Sequence, residues 1–303
     1  MTAVELRHLR YLLAVAEHGS FSRAAEVLYV SQPTLSQQIK QLEHVVGVQL
    51  LDRSSRAVRL TDVGVAYVGH VRHALREIAA AERAVHDVQD LSRGHLRLGV
   101  TPTFTAYLVG PLAADLQSRH PGIRLTVSER SQNDIEACLL VDDLDVGIAF
   151  AGSHAPGIAA DVLFSETLSL VASRSHADEL PDPLPVKELH GEHLALLSAD
   201  FATRKYIDAF FAEHRVEPRI TLEANSIQAL IEIVHRTSLA TVLPDAVARD
   251  HQYLGLVPLD PPIPARSVVI LQREGAYRSA AAAAFRRLAY DLVESRGYRP
   301  PET

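Results

Sequence analysis

The sequence predicts a chain in two parts: an all-helical N-terminal head ending in a short basic hairpin, and a larger α/β portion reached through one long helix. Three observations predict it. Apolar residues recur at three- and four-residue spacing up to about residue 90. Turn residues break that spacing repeatedly in the first sixty residues only. Beyond Gly94, short apolar runs alternate with helical stretches. At 303 residues the chain exceeds one comfortable core, and 47% hydrophobic with 22% charged residues is ordinary globular composition. The apolar run Tyr11–Ala16 is too short for a membrane span or signal peptide, so a cytoplasmic protein with no membrane contact is expected. Cys138 is the single cysteine, which excludes an intramolecular disulfide.

The first helix carries Leu6, Leu9, Leu13 and Ala16 on one stripe and stops at Gly19. Ser20 occupies an N-cap position, and Phe21, Ala24, Ala25 and Leu28 give a second, two-turn stripe. Ser31 caps a third helix with Pro33 in its first turn, where a missing N–H costs nothing. Its inner face is Leu35, Ile39, Leu42 and Val46, and its outer face presents Pro33, Gln37, Lys40 and His44 flanked by Thr34 and Gln41. Three short helices with a tight second turn make a helix-turn-helix. On the third helix, glutamine can pair with an adenine edge and threonine or proline carbons can touch a thymine methyl. An ordinary solvated face would look similar.

The segment "LLDRSSRAVRLT" reads as a hairpin with Arg53, Arg56 and Arg59 along it, suited to gripping phosphates beside a groove. Charge follows the same division. Residues 1–61 carry seven Lys/Arg against five Asp/Glu, a net +2, whereas the remainder carries −9 of the chain's total of −7. A polyanion would be met by the head and repelled by the rest.

The run "FSRAAEVLYVSQPTLSQQIKQLEHVVGVQLLDRSSRAVRLTDVG" resembles the N-terminal winged helix-turn-helix of LysR-type transcriptional regulators, with Thr34 where that family more often has alanine. The resemblance implies that double-stranded promoter DNA is read by Gln32, Pro33, Thr34, Ser36, Gln37 and Lys40, with Arg53 and Arg56 on the wing. It places the DNA-binding domain at 1–61, a linker and dimerisation helix with its hinge at 62–93, and an effector-binding regulatory domain at 94–303.

From Thr61 to about Asp90 one helical pattern runs through Val68, Val71, Leu75, Ile78, Ala81, Val85 and Val88. Thirty helical residues span about 45 Å. A stripe that long exceeds what a sixty-residue head can cover, which favours pairing with a second copy. The resemblance likewise implies a homo-oligomer, dimer or tetramer. Ser92, Arg93 and Gly94 read as a hinge.

After Gly94 come the strands "LRLGV", "IRLTV", "DVGIAF", "LALLS", "RITLEA", "LATVL" and "SVVIL", with a helix expected over about Thr103–Arg119 and another ending near Leu139. Strands apolar on both faces and alternating with helices predict parallel sheets. The resemblance implies two α/β subdomains like a periplasmic binding protein, one at about 94–164 and 266–303, the other at about 165–265, with an effector cleft between them.

Catalytic signatures are missing: there is no Gly-x-Gly pair and no Gly-x-Ser-x-Gly elbow. The pairs His70/His73 and His190/His193 lack further ligands, and Asp142, Asp143 and Asp145 read as solvated acids at a turn. No enzyme, metal or cofactor is expected. Hydroxyl and amide groups at helix starts are the polar feature that remains: Thr101, Thr103 and Thr105, Ser131, Ser198 and Thr203, Asn225 and Ser226. Each is explained by plain capping, or, where several converge at strand ends, by an anion site. The resemblance implies effector contacts at Thr101, Thr103, Phe104 and the Ser198–Thr203 loop with Phe201, and Ser131 and Asn225 join them as helix-start groups. Within the family, "VTPTFT", "LDVGIAF" and "LLSADFATR" resemble the branch controlling cyanate utilisation, which implies a small anionic effector such as cyanate; the alternative is another small carboxylate or an aromatic acid. A transporter's solute-binding module would leave the first 93 residues without purpose, and a hydrolase lacks its nucleophile.

Overall fold

In the N-terminal unit, Met1–Val85, the helices end where left-handed backbone is required. The computed structural model describes residues 4–53, 57–87 and 94–298, and Arg56 and the hinge at Ser92–Arg93 lie outside them. Helix α1 (Leu6–His18) stops at Gly19 with φ +59°, and α3 (Gln32–Val46) stops at Gly47 with φ +80°. Between them, α2 (Phe21–Val27) is capped by the Ser20 hydroxyl, which accepts from the Arg23 amide. Ser31 caps α3 by accepting from the Thr34 amide at 3.2 Å. The head core is Leu9, Leu12, Val15, Ala24, Ala25, Leu35, Ile39, Leu42, Leu50 and Leu51.

The buried face of α1 is rotated from the expected one. His8, Leu9, Leu12 and Val15 are inside, while Leu6 is 44% exposed. Apolar residues surround this helix, so spacing alone admits two stripes. His8 is tolerated inside because both ring nitrogens are engaged, with Gln38 Oε1 at 3.0 Å and the Glu5 amide at 3.2 Å.

The wing is a two-rung antiparallel ladder of β1 (Leu51–Asp52) and β2 (Arg59–Leu60). Helix α4 (Asp62–Asp87) follows, its start capped by Thr61 Oγ1, which accepts from the Gly64 amide at 3.0 Å. A side chain at Gly64 is excluded, since its Cβ would lie 2.0 Å from the Leu50 carbonyl oxygen. Val68 and Val71 are buried in the head core, and Leu75 packs against it. The head therefore covers the stripe from Val68 to Leu75.

The second unit, His86–Thr303, begins with β3 (Gly94–Val100). Helices α5 (Pro102–Thr105) and α6 (Val109–Arg119) replace the single helix expected here. Pro111 cannot donate to the Tyr107 carbonyl, and Gly110 beside it weakens helix further, so the break falls at residues 106–108. There follow β4 (Ile123–Glu129), α7 (Gln132–Leu140), β5 (Val146–Phe150) and β6 (Ile158–Glu166). The chain then enters β7 (Leu168–Ser173), α8 (Arg174–Ala177), β8 (Leu184–Pro185) and a 3-10 turn at Val186–Leu189. Next come β9 (His193–Leu197), α9 (Ala202–His214), β10 (Arg219–Ala224), α10 (Ile227–Arg236), β11 (Thr241–Pro244) and α11 (Asp245–Arg249). The last elements are β12 (Leu254–Val257), β13 (Leu259–Asp260), β14 (Arg266–Arg273) and α12 (Ala280–Ser295).

The sheets are mixed, not parallel as expected. One runs β4-β3-β5-β14-β6, with β14 antiparallel to both neighbours. In the other, β10 and β9 are parallel, β7 is antiparallel to β11 and β12, and a parallel bridge Leu194↔Ala240 joins the two groups. The order β10-β9-β11-β7-β12 repeats the first sheet. In each half the antiparallel strand is the one that has just crossed from the other half: β7 after Glu166, β14 after the segment "PPIPA". Apolarity on both faces reports that a strand is covered, not its direction. Two of the three acids expected to be solvated are paired: Asp145 takes a fork from Arg97 at 2.6 and 3.1 Å, and Asp142 pairs with Arg273 at 3.0 Å.

Candidate nucleic-acid interface and effector cavity

Helix α3 sorts its polar residues by facing. Gln32, Pro33, Thr34, Gln37 and Lys40 are exposed, Ser36 is half-buried, and Gln38 is turned inward to His8. The Thr34 hydroxyl lies 2.7 Å from the capping Ser31 hydroxyl, so its methyl is the group available to a thymine methyl. The exposed amides of Gln32 and Gln37 and the Lys40 ammonium have the chemistry to meet base edges and a phosphate.

Arg53 is placed differently from the expected free phosphate clamp. Its Nη2 donates to Glu43 Oε2 at 2.8 Å, and its guanidinium carbon lies 5.4 Å from the centre of the Phe21 ring. Glu43, which sequence reasoning passed over, is 8% exposed and accepts from the Leu50 and Leu51 amides at 3.0 and 3.1 Å through its other oxygen. One buried carboxylate thus ties α3 to the wing. Arg59 on β2 is exposed.

In the second unit a cavity of about 380 Å³ opens between the two sheets' helices. Thr101, Pro102 and Thr103 line it from the end of β3, Arg130 to Asn133 from the start of α7, and Phe150 from the end of β5. Asp200, Phe201, Ala202 and Lys205 line the other side. Four of the expected residues therefore meet here: Thr101, Thr103, Ser131 and Phe201. Phe104 is fully buried behind the wall, its ring 4.9 Å from that of Phe150. Asn225 is exposed and is not among the lining residues, and Ser198 reaches the site only through Asp200, to which it donates at 2.6 Å. That bond holds the Asp200 carboxyl below its ordinary pKa.

The hydroxyls separate into caps and one that is not. Ser131 accepts from the Asp134 amide and Ser226 from the Ala229 amide, which is plain capping. Thr101 makes no side-chain cap bond, and its Oγ1, in a residue 4% exposed, has no hydrogen-bond partner among the described residues. A buried hydroxyl without a partner costs roughly 1–3 kcal/mol. Thr203 is buried and lies against Thr103 at 3.0 Å. Sequence reasoning missed Arg130, Lys205 and Gln132, whose charge or amide suits an anion; exposed polar residues flanking a capping serine carry no periodic signal.

Among the described residues no group of three His, Cys, Asp or Glu side chains is placed to hold a metal, and no helix is long and apolar enough to cross a membrane.

Comparison with known proteins adds sequence and fold. Residues 6–65 match the family model for bacterial regulatory helix-turn-helix proteins of the lysR family, and residues 89–293 match that for the LysR substrate binding domain. The chain is 32% identical over 248 residues to the nitrogen assimilation regulatory protein nac of Klebsiella aerogenes, covering 81% of this chain and 80% of the relative. It is 31% identical over 275 residues to the DNA-binding transcriptional dual regulator OxyR of Escherichia coli K12, covering 90% of each. A full-length OxyR variant from Pseudomonas aeruginosa shares the fold with a TM-score of 0.72 at 24% identity, covering all of both chains. Full-length CbnR complexed with its target DNA shares it with a TM-score of 0.65 at 22% identity, over 95% and 99%.

Proposed function

The chain belongs to the LysR family of DNA-binding transcriptional regulators, which are not enzymes, and from that premise we propose that α3 reads the operator while the Thr101 cavity binds an anionic effector. The unpartnered Thr101 hydroxyl carries the effector reading: its Oγ1 is buried in a residue that lines a cavity together with Arg130 and Lys205, and a ligand oxygen that reached it would satisfy it. Cyanate, suggested by sequence likeness, is a three-atom anion and would fill only a small fraction of a cavity in the ordinary small-molecule range. Pro102, Phe150 and Phe201 supply apolar walls, which favours a carboxylate with an apolar body. Cys138 is the single cysteine of the sequence, so no disulfide can form within one chain. We propose a homodimer or homotetramer acting on double-stranded promoter DNA in the cytoplasm.

Thr101→Val tests the cavity. Deleting a hydroxyl that lacks a partner should leave the free protein as stable, or more stable by about 1 kcal/mol. Affinity for the effector should fall by about 1.5–3 kcal/mol, the worth of a charge-assisted bond. Thermal-shift titration with benzoate, phthalate, succinate and cyanate identifies the ligand class and compares the variant. If none of them shifts the wild-type melting curve, the cavity loses its assignment as a carboxylate site.

Gln37→Ala tests the reading face. Specific operator binding should weaken by about 1–3 kcal/mol, with non-specific binding nearly unchanged. A salt-controlled titration in which operator preference survives would move base reading elsewhere on α3.

A further inference from the structure

A chain of buried polar contacts joins the two halves of the second unit at their crossings and ends on the cavity wall. Glu166 closes β6 just before the chain leaves the first sheet, and Arg266 opens β14 just after it returns; the two are cross-strand partners. Arg266 Nε donates to Glu166 Oε2 at 2.6 Å, and the Tyr107 hydroxyl donates to Glu166 Oε1 at 2.5 Å. Burial and the neighbouring carboxylate push the Tyr107 phenol well above its ordinary pKa, so it remains a donor. Arg266 Nη2, which also lies against Glu166 Oε2, donates to Thr203 Oγ1 at 2.9 Å, and Thr203 shares a 3.0 Å bond with Thr103. All five residues are at least nine-tenths buried. The guanidinium carbon also lies 3.7 Å from the centre of the Phe150 ring.

Thr103 belongs to α5 of the first half and Thr203 to α9 of the second, so their bond spans the halves; Thr103 and Phe150 line the cavity. We propose that the Glu166–Arg266 pair is the pivot of a hinge between the halves and that the Thr103–Thr203 contact, held by Arg266, is its latch, which a ligand engaging Thr103 releases. Arg266 is then a positioning residue: it never needs to touch the ligand, yet it fixes both the Thr203 hydroxyl and the Phe150 wall. Two buried hydroxyls that satisfy one another hold one angle, and an incoming acceptor at Thr103 competes for that bond. Release of the latch rests on the effector reading of the cavity. The existence of the latch does not.

The test uses the full chain in a Cys138→Ser background, spin-labelled at Arg124→Cys on β4 and Glu213→Cys on α9, both exposed positions, and diluted with unlabelled chain. Pulsed dipolar spectroscopy without any ligand should give one narrow distance for the otherwise wild-type chain. Thr203→Val removes the hydroxyl at nearly constant volume. It should raise a second distance from under about a tenth of molecules, the range of an ordinary minor state, to a readily resolved fraction. Thr203→Ser, which keeps the hydroxyl, should restore the single distance. Arg266→Lys keeps the charge beside Glu166 but loses the fork, and should behave as Thr203→Val does. One unchanged narrow distance in Thr203→Val overturns the latch, whatever Arg266→Lys does; so does a broadened Thr203→Ser, which would assign the effect to packing. Since no ligand is present, a failure of every carboxylate to bind would count against the effector reading and leave this result standing.

Discussion

Ile78→Lys combined with Ala81→Lys should lower operator affinity by about 10²- to 10⁴-fold while each head stays folded. The magnitude is that of coupling two binding modules, so that the second engages at high effective concentration. Val68 and Val71 are buried on the head, and Leu75 packs there too, so a charge at Leu75 would damage the head itself. Ile78 is half-buried and Ala81 exposed, and both lie on the same sequence stripe beyond the head's reach. Two ammonium groups per helix placed in a seam between copies would be desolvated without partners, and the assembly would come apart instead. Light scattering should report a smaller species, and circular dichroism an intact fold. An undiminished oligomer with full operator affinity would remove this stretch of α4 from the proposed interface.

The parts of the fold that sequence revealed are those where one local rule acted without competition. Ser20 and Ser31 cap their helices and Gly19 ends the first, because caps and left-handed turns need particular residues at particular positions. Sheet direction was not legible, since β7 and β14 owe theirs to which half the chain has just left. The α1 stripe was misplaced because His8, a polar residue, is buried with one ring nitrogen on the nearby Glu5 amide and the other on Gln38, thirty residues away. At the cavity, Thr101 and Ser131 looked alike in sequence; only the bond that Ser131 makes to its own helix, and Thr101 does not, separates a cap from a candidate ligand contact. Arg266 had no local signal at all. Its partners Glu166 and Thr203 lie 100 and 63 residues away.

Glu43→Ala should destabilise the head by about 3–5 kcal/mol, since two buried amides left without an acceptor cost about 1–3 kcal/mol each. Three groups lose their acceptor together: the Leu50 and Leu51 amides and the Arg53 guanidinium. Both leucines are fully buried, so water cannot replace the carboxylate at their amides without opening the core. Arg53→Ala should cost less, about 1 kcal/mol or below, because the Arg53 side chain is 30% exposed and Glu43 would keep its two backbone bonds. Glu43→Gln should fall between them, since an amide oxygen can still accept from the chain but cannot answer the charge. For a domain of this size each kcal/mol moves the midpoint by about 4–8 °C, so the Glu43→Ala head should melt more than about 10 °C lower. Hydrogen exchange at α1–α3 amides in the full chain follows that transition apart from the second unit. The order of losses is the diagnostic: Glu43→Ala greatest, Arg53→Ala least. If Arg53→Ala instead weakened DNA binding strongly with no loss of head stability, and lowered the salt slope by about one, Arg53 would be a phosphate contact and the tie between wing and α3 would be secondary.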